Sequence, residues 1–187
     1  EILLLVNGHG GIGKSTLAAR YYHNYKHEYE HLAWLLSEKS IANALLKLKG
    51  SLGFTVDQNK LTLAEQLEKV LTKLAQLTKR SLLVIDNANE LDDLQENYLA
   101  LRRCSNLHIL LTTRITEFDT VPRFQVKGLD DPFAKELFKK HYPNHDEDEN
   151  ELLEELLENI DYNTLLIELL AKNLKELNRL EFQYTLS

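Results

Sequence analysis

Five short apolar runs punctuate the first two thirds of the chain: Ile2–Val6, His31–Leu36, Ser81–Asp86, Leu107–Thr112 and Phe124–Lys127. The first, third and fourth are almost unbroken Leu, Ile and Val, the pattern of parallel strands covered on both faces. Helical patterns separate most of the runs. Leu63, Leu67, Val70, Leu71 and Leu74 form one stripe, and Thr62 with Glu65 three positions on has the spacing of a capping box at its start. A second helix is predicted from about Leu91 to Arg103. Strands alternating with helices predict a three-layer α/β fold built on a parallel sheet.

After Gly128 the pattern turns wholly helical. Asp131-Pro132 reads as an N-cap and first helical residue, leading into Phe133, Leu137 and Phe138. Leu152, Leu153, Leu156, Leu157 and Ile160 make the next stripe, and Leu165, Leu166, Leu169, Leu170 and Leu174 the last. The expectation is an α/β domain over 1–128 and a small all-α subdomain over 129–187. The acidic stretch Asp146–Glu158 reads as a solvated helix face rather than a docking surface.

Composition narrows the function. Hydrophobic residues are 43% and charged residues 27% of the 187, ordinary globular usage, so the chain is expected to fold. Lys plus Arg is 22 and Asp plus Glu 29, and 22 − 29 = −7 argues against gripping nucleic acid or an anionic membrane. No apolar run approaches the length of a membrane span. The single cysteine, Cys104, rules out an internal disulfide and fits a reducing compartment such as the cytoplasm. The chain opens at Glu1, directly on an apolar run, without initiator Met or signal peptide, so it reads as a piece of something longer.

Gly8-His9-Gly10-Gly11-Ile12-Gly13-Lys14-Ser15 satisfies G-x-x-x-x-G-K-[ST]. Its glycines permit positive φ and close backbone approach, so successive N–H groups can turn inward as an anion nest. In that reading Lys14 neutralises the β- and γ-phosphates and the Ser15 hydroxyl ligates Mg²⁺. The helix opened by Ser15 and Thr16 aims its positive end at the same phosphates. An apolar strand before the motif and an amphipathic run after it supply the required context.

Such a loop needs a carboxylate at the end of a buried strand. Leu82-Leu83-Val84-Ile85-Asp86 supplies one, making Asp86 the Mg²⁺ partner of Ser15. The next residue, Asn87, can orient an attacking water but cannot accept its proton, so tight binding and slow turnover are expected. The fourth strand ends in Thr112-Thr113-Arg114. If that strand lies between the first and third, Arg114 emerges beside the γ-phosphate; otherwise it is a surface residue ending a strand. Asn59-Lys60-Leu61-Thr62 lacks the Asp of a guanine motif and precedes the Asp86 strand, which favours adenine. The seven histidines have no accompanying Cys or Glu pattern for a metal, and Tyr21, Tyr22, Tyr25 and Tyr29 read as packing residues.

Together these segments resemble the NB-ARC proteins within the STAND class of signal-transducing ATPases. The loop Gly8 to Ala18 is similar to the family's P-loop, and His31-Leu32-Ala33-Trp34 to its second strand with a tryptophan. Leu82 to Asp86 is similar to its Walker B strand, Leu110 to Arg114 to its sensor strand, and Val126 to Phe138 to the opening of its first helical subdomain. The resemblance implies the sheet order 2-3-4-1-5 and an ATP/ADP switch that controls opening and oligomerisation. It also implies phosphate binding by Gly8–Thr16, Mg²⁺ at Ser15 and Asp86, and γ-phosphate sensing by Arg114. The family's G-L-P-L motif, whose proline touches adenine, corresponds to Tyr162-Asn163-Thr164-Leu165, with Thr164 in place of the proline. Nucleotide contact from Thr164 and Leu165 is thereby implied. The family usually has a second acid where this chain has Asn87. The implied partners are further effector, winged-helix and sensor domains of a longer chain.

Three functions follow in order of expectation. A regulatory ATPase core, probed by one bound nucleotide and poor turnover, comes first. A small P-loop kinase would need an Arg-rich lid, whereas the region after 128 is rich in Leu and Glu. A DNA-handling ATPase is opposed by the charge of −7.

Overall fold

The computed structural model describes residues 3–54, 60–118, 121–143 and 150–176. They pack as two compact units. One comprises Glu1–Gly8 with Lys14–Gln125, the other His9–Gly13 with Val126–Ser187.

The first unit holds strands β1 (Leu3–Asn7), β2 (His31–Leu36), β3 (Ser81–Asp86), β4 (Leu107–Thr113) and β5 (Arg123–Gln125). Its helices are α1 (Lys14–Tyr25), α2 (Ile41–Leu46), α3 (Leu63–Ala75) and α4 (Leu91–Arg102). The sheet is parallel throughout, in the order β2-β3-β4-β1-β5. β1, β3 and β4 are nearly continuous buried runs, because both faces of the inner strands are covered. β2 and β5 lie at the edges and stay largely exposed.

Alternation along each inner strand sorts the side chains between two layers. Leu3 and Leu5, Leu83 and Ile85, and Ile109 and Leu111 join Ile41, Leu45, Val70, Leu94 and Leu101 in one core against α2, α3 and α4. Leu4, Leu82 and Leu110 look the other way, toward Leu17, Ala18 and Tyr21 of α1. Tyr22 of α1 packs edge-on against Trp34 of β2, and Tyr21 and Tyr25 stack tilted at 4.7 Å.

Local signals set the helix ends. The Thr62 hydroxyl accepts from the Glu65 amide while the Glu65 carboxylate accepts from the Thr62 amide, completing the expected capping box. α2 was not anticipated: six residues are too few for a periodic stripe, and its Ser40 cap, accepting from the Asn43 amide, is the only local cue. Three strands also shift in their bounds. β1 runs on to Asn7 and β4 to Thr113 because those two residues pair, and β5 spans Arg123–Gln125, the stretch that pairs with β1.

The second unit contains α5 (Asp131–His141), α6 (Asn150–Asn159) and α7 (Thr164–Glu176). Ala134, Phe138, Leu153, Leu157, Ile167 and Ala171 are fully buried among them. The residue before α5 is Asp130, not Asp131, with extended backbone at φ −64° and ψ 148°. Pro132 therefore stands one position further into the helix, still where its missing N–H is harmless. Of the acidic stretch Asp146–Glu158, the residues before Asn150 lie outside the described residues, as does Ile2. No described helix is long and apolar enough to cross a membrane.

Candidate functional site

In the first unit, parallel pairing brings the C-terminal ends of β1, β3 and β4 side by side, where ligands of open α/β sheets gather. Asp86 closes β3. Its Oδ1 accepts from the Ser15 hydroxyl at 2.7 Å and also from the Thr112 hydroxyl at the end of β4. Lys14, at the start of α1, is buried to 9% exposure and donates from Nζ to the Gly8 carbonyl at 2.9 Å. Burial and, after it, the Arg114 guanidinium hold Lys14 below the usual lysine range, against the opposing pull of Asp86. Two cations held close enough to repel each other form a place where an anion is welcome.

β4 does lie between β1 and β3, so Arg114 leaves the sheet beside the Asp86 strand. A chain of three polar residues sets its backbone. The Asn87 amide, at φ +67°, donates to the Thr112 hydroxyl at 2.9 Å. Asn89 donates from Nδ2 to Asn87 Oδ1 at 2.5 Å, and its own Oδ1 accepts the Arg114 amide at 2.8 Å. The Asn87 carboxamide oxygen is thus committed to a protein donor. Thr112 and Asn89 were missed as site residues. Thr112 had a readable signal, a hydroxyl at the end of a buried strand; Asn89 had none, because its role exists only where two loops meet. Thr16 stands exposed in the first turn of α1.

Ser15 and Asp86 offer two hard oxygen donors 2.7 Å apart. Among the described residues no group of three or more His, Cys, Asp or Glu forms a cage. That donor set fits Mg²⁺, which is usually held by one or two protein oxygens and completed by phosphate and water.

In the second unit, His9, Gly10, Gly11, Ile12 and Gly13 lie with the start of α7. Gly11 has φ +75° and Gly13 +102°, conformations open to glycine. The Leu165 amide donates to the Gly11 carbonyl at 3.1 Å, and the Thr164 hydroxyl approaches the Ile12 carbonyl at 3.5 Å, a long contact. Asn163, buried to 8% exposure, donates from Nδ2 to the Gly10 carbonyl at 2.9 Å. Sequence reasoning placed Thr164 and Leu165 against the nucleotide and passed over Asn163. The structure puts all three against the loop backbone. His9 is exposed. An apolar groove of about 280 Å³ beside α1, lined in part by Leu17, Tyr21 and Phe124, carries none of the predicted site residues.

A parallel sheet in this order, with a glycine loop after β1 and an acid closing β3, defines a P-loop NTPase. The NB-ARC domain model matches residues 1–159, and the chain belongs to that family of nucleotide-binding modules. No curated protein sequence matches it. Among solved structures it is similar to the STAND protein PH0952 of Pyrococcus horikoshii, which carries a tetratricopeptide repeat sensor. The identity is 19% and the TM-score 0.58, over 88% of this chain and 26% of that one. The Aeropyrum pernix ORC1 protein, solved with DNA, is 13% identical at TM-score 0.59, over 88% and 51%. DnaA of Aquifex aeolicus, solved with AMPPCP, is 15% identical at TM-score 0.53, over 95% and 56%. At these identities the likeness concerns the fold. The chain spans between about a quarter and a little over half of those structures' lengths.

Proposed function

We propose that the chain is the ATP/ADP-binding switch core of a STAND-type signalling ATPase acting in the cytoplasm. Residues 1–128 form its nucleotide-binding domain and 129–187 a helical subdomain. Further effector and sensor domains and nucleotide-dependent oligomerisation belong to the longer protein. The observation that carries the reading is the shared Asp86 oxygen, which accepts from Ser15 and Thr112 beside a Lys14 already repelled by Arg114. It supports a site made for Mg²⁺ and a polyphosphate rather than for a second substrate.

In this reading the N–H groups of Gly8–Thr16 bind the phosphates, and the ammonium of Lys14 balances the charge of the β- and γ-phosphates. Mg²⁺, held by Ser15 and Asp86, neutralises phosphate charge when bound. Arg114 recognises the γ-phosphate and separates ATP from ADP. Asn87 orients water at most: its amide is no base and its oxygen is occupied by Asn89, so hydrolysis is slow. DnaA, a relative in fold, was solved with the ATP analogue AMPPCP, which lends support to adenine as the base.

The test is to purify the chain without added nucleotide, denature it and identify what is released, then titrate Mg²⁺-ATP into parent and Lys14→Ala. Stoichiometric ADP or ATP, or parental binding that Lys14→Ala abolishes, is expected. Fast multiple turnover would contradict the switch reading, and equal binding by Lys14→Ala would contradict the site.

A further inference from the structure

Of the residues able to cap a helix, only asparagine brings both an oxygen acceptor and an N–H donor in one short side chain. Asn163 uses both. Its Oδ1 accepts from the Leu165 and Leu166 amides at 3.1 and 3.3 Å, capping α7, while Nδ2 donates to the Gly10 carbonyl at 2.9 Å. The opposite amide orientation would set N–H against N–H at the cap and oxygen against oxygen at Gly10, so the network determines which end is which.

The turn that delivers Asn163 is held against local preference. Asp161 and Tyr162 both have positive φ, +51° and +53°, which is uncommon for any residue with a side chain and rare for a bulky one. The Tyr162 amide reaches back to the Leu157 carbonyl, and the Tyr162 carbonyl accepts from the Leu129 amide. Strain of this kind persists where surrounding contacts over-determine it.

We propose that Asn163 is a positioning residue for the phosphate-binding loop, aiming the loop's N–H groups by holding its carbonyls. The peptide unit is planar and trans, so a carbonyl and the following N–H point in opposite directions. Tying the Gly10 carbonyl to Asn163 turns the Gly11 N–H to the far side. Tying the Gly11 carbonyl to the Leu165 amide does the same for the Ile12 N–H, whose bond to the His9 carbonyl is a long 3.4 Å. The direction of the Gly11 N–H is thus set before the anion arrives, while the Ile12 N–H has only the long His9 bond to give up, which lowers the cost of ordering the loop on binding.

The inference rests on the nucleotide-binding reading above, and the experiment separates the two. Asn163→Ser keeps a neutral capping oxygen but cannot reach Gly10, Asn163→Asp keeps the shape and cap without the donor, and Asn163→Ala loses both. Affinity for Mg²⁺-ATP should fall about fivefold in Asn163→Ser and Asn163→Ala alike, the effect of one neutral hydrogen bond, and at least as far in Asn163→Asp. Without nucleotide, Asn163→Ser should melt slightly below the parent for the lost Gly10 bond, Asn163→Ala lower still for the lost cap as well, and Asn163→Asp no higher than Asn163→Ser, because its carboxylate faces the Gly10 carbonyl. Parental affinity in the Ser or Asp variant overturns the proposal, and so does an affinity loss confined to Asn163→Ala, which would make the residue a cap alone. A well-folded parent that binds no Mg²⁺-ATP refutes the nucleotide reading and this one with it.

Discussion

Replacing Gly11 by alanine tests the packing of the loop against α7 directly. A Cβ there would lie 2.7 Å from Leu165 Cβ, 2.9 Å from its Cδ2 and 3.1 Å from Asn163 Oδ1. The first contact is the base of a side chain, so relief requires backbone to move rather than a rotamer to swing. Left-handed backbone at φ +75° adds about 1–2 kcal/mol for a residue with Cβ, and overpacking about 1–3 kcal/mol. The sum, about 2–5 kcal/mol, corresponds to a melting temperature lower by roughly 10 °C in a chain of this size. Gly13→Ala is the control, because its φ of +102° brings similar backbone strain while its Cβ would meet nothing within 4 Å. Loss of unfolded-chain freedom, about 0.4–1 kcal/mol, is common to both and cancels. Thermal unfolding without nucleotide should place Gly11→Ala at least several degrees below Gly13→Ala. Equal melting temperatures would refute the contact with Leu165.

Thr112→Val removes the hydroxyl that Asp86 and the Asn87 amide share, and because Asn87 is exposed its amide can turn to water instead. A loss of about 1 kcal/mol in urea denaturation is expected, with weaker Mg²⁺-dependent nucleotide binding; an unchanged urea midpoint would contradict the shared role. His108, whose Nδ1 meets the Tyr29 hydroxyl at 3.1 Å, is held below its usual 6.5 by burial and then by the charge of Arg80. Its unfolded form takes up a proton first, so stability should fall as pH drops from above 6.5 toward the lower folded value, and His108→Gln should lack that component. Denaturation midpoints at pH 7.5 and 5.5 measure the difference, and identical pH dependence in the two proteins would count against it. Asp161→Gly relieves left-handed backbone worth about 1–2 kcal/mol against about 0.4–1 kcal/mol of added unfolded-chain freedom, and should stabilise the chain by roughly 0.5 kcal/mol, read as a slightly higher melting temperature; clear destabilisation would show that the Asp161 side chain matters more than its backbone.

Much of this protein is determined by pattern that survives without coordinates. Buried parallel strands are covered on both faces, so β1, β3 and β4 announce themselves as unbroken Leu, Ile and Val. Thr62 and Glu65 cap α3 through bonds between neighbours in the chain, and the Asp131-Pro132 start and two leucine stripes after Gly128 become three helices. The loop Gly8–Ser15 and Asp86 were legible as a candidate site because the P-loop pattern and its strand-end acid are defined by particular residues at fixed spacing. Tertiary structure alone decided the rest. α2 lacks the length for a periodic signal. The bond between Ser15 and Asp86 spans 71 positions, and that between Asn163 and Gly10 spans 153. Asn89, Thr112 and Asn163 act by hydrogen bonds to backbone or side chains that only folding brings near. Short-range chemistry is written in consecutive residues; the groups that orient it are chosen by the packing that places them.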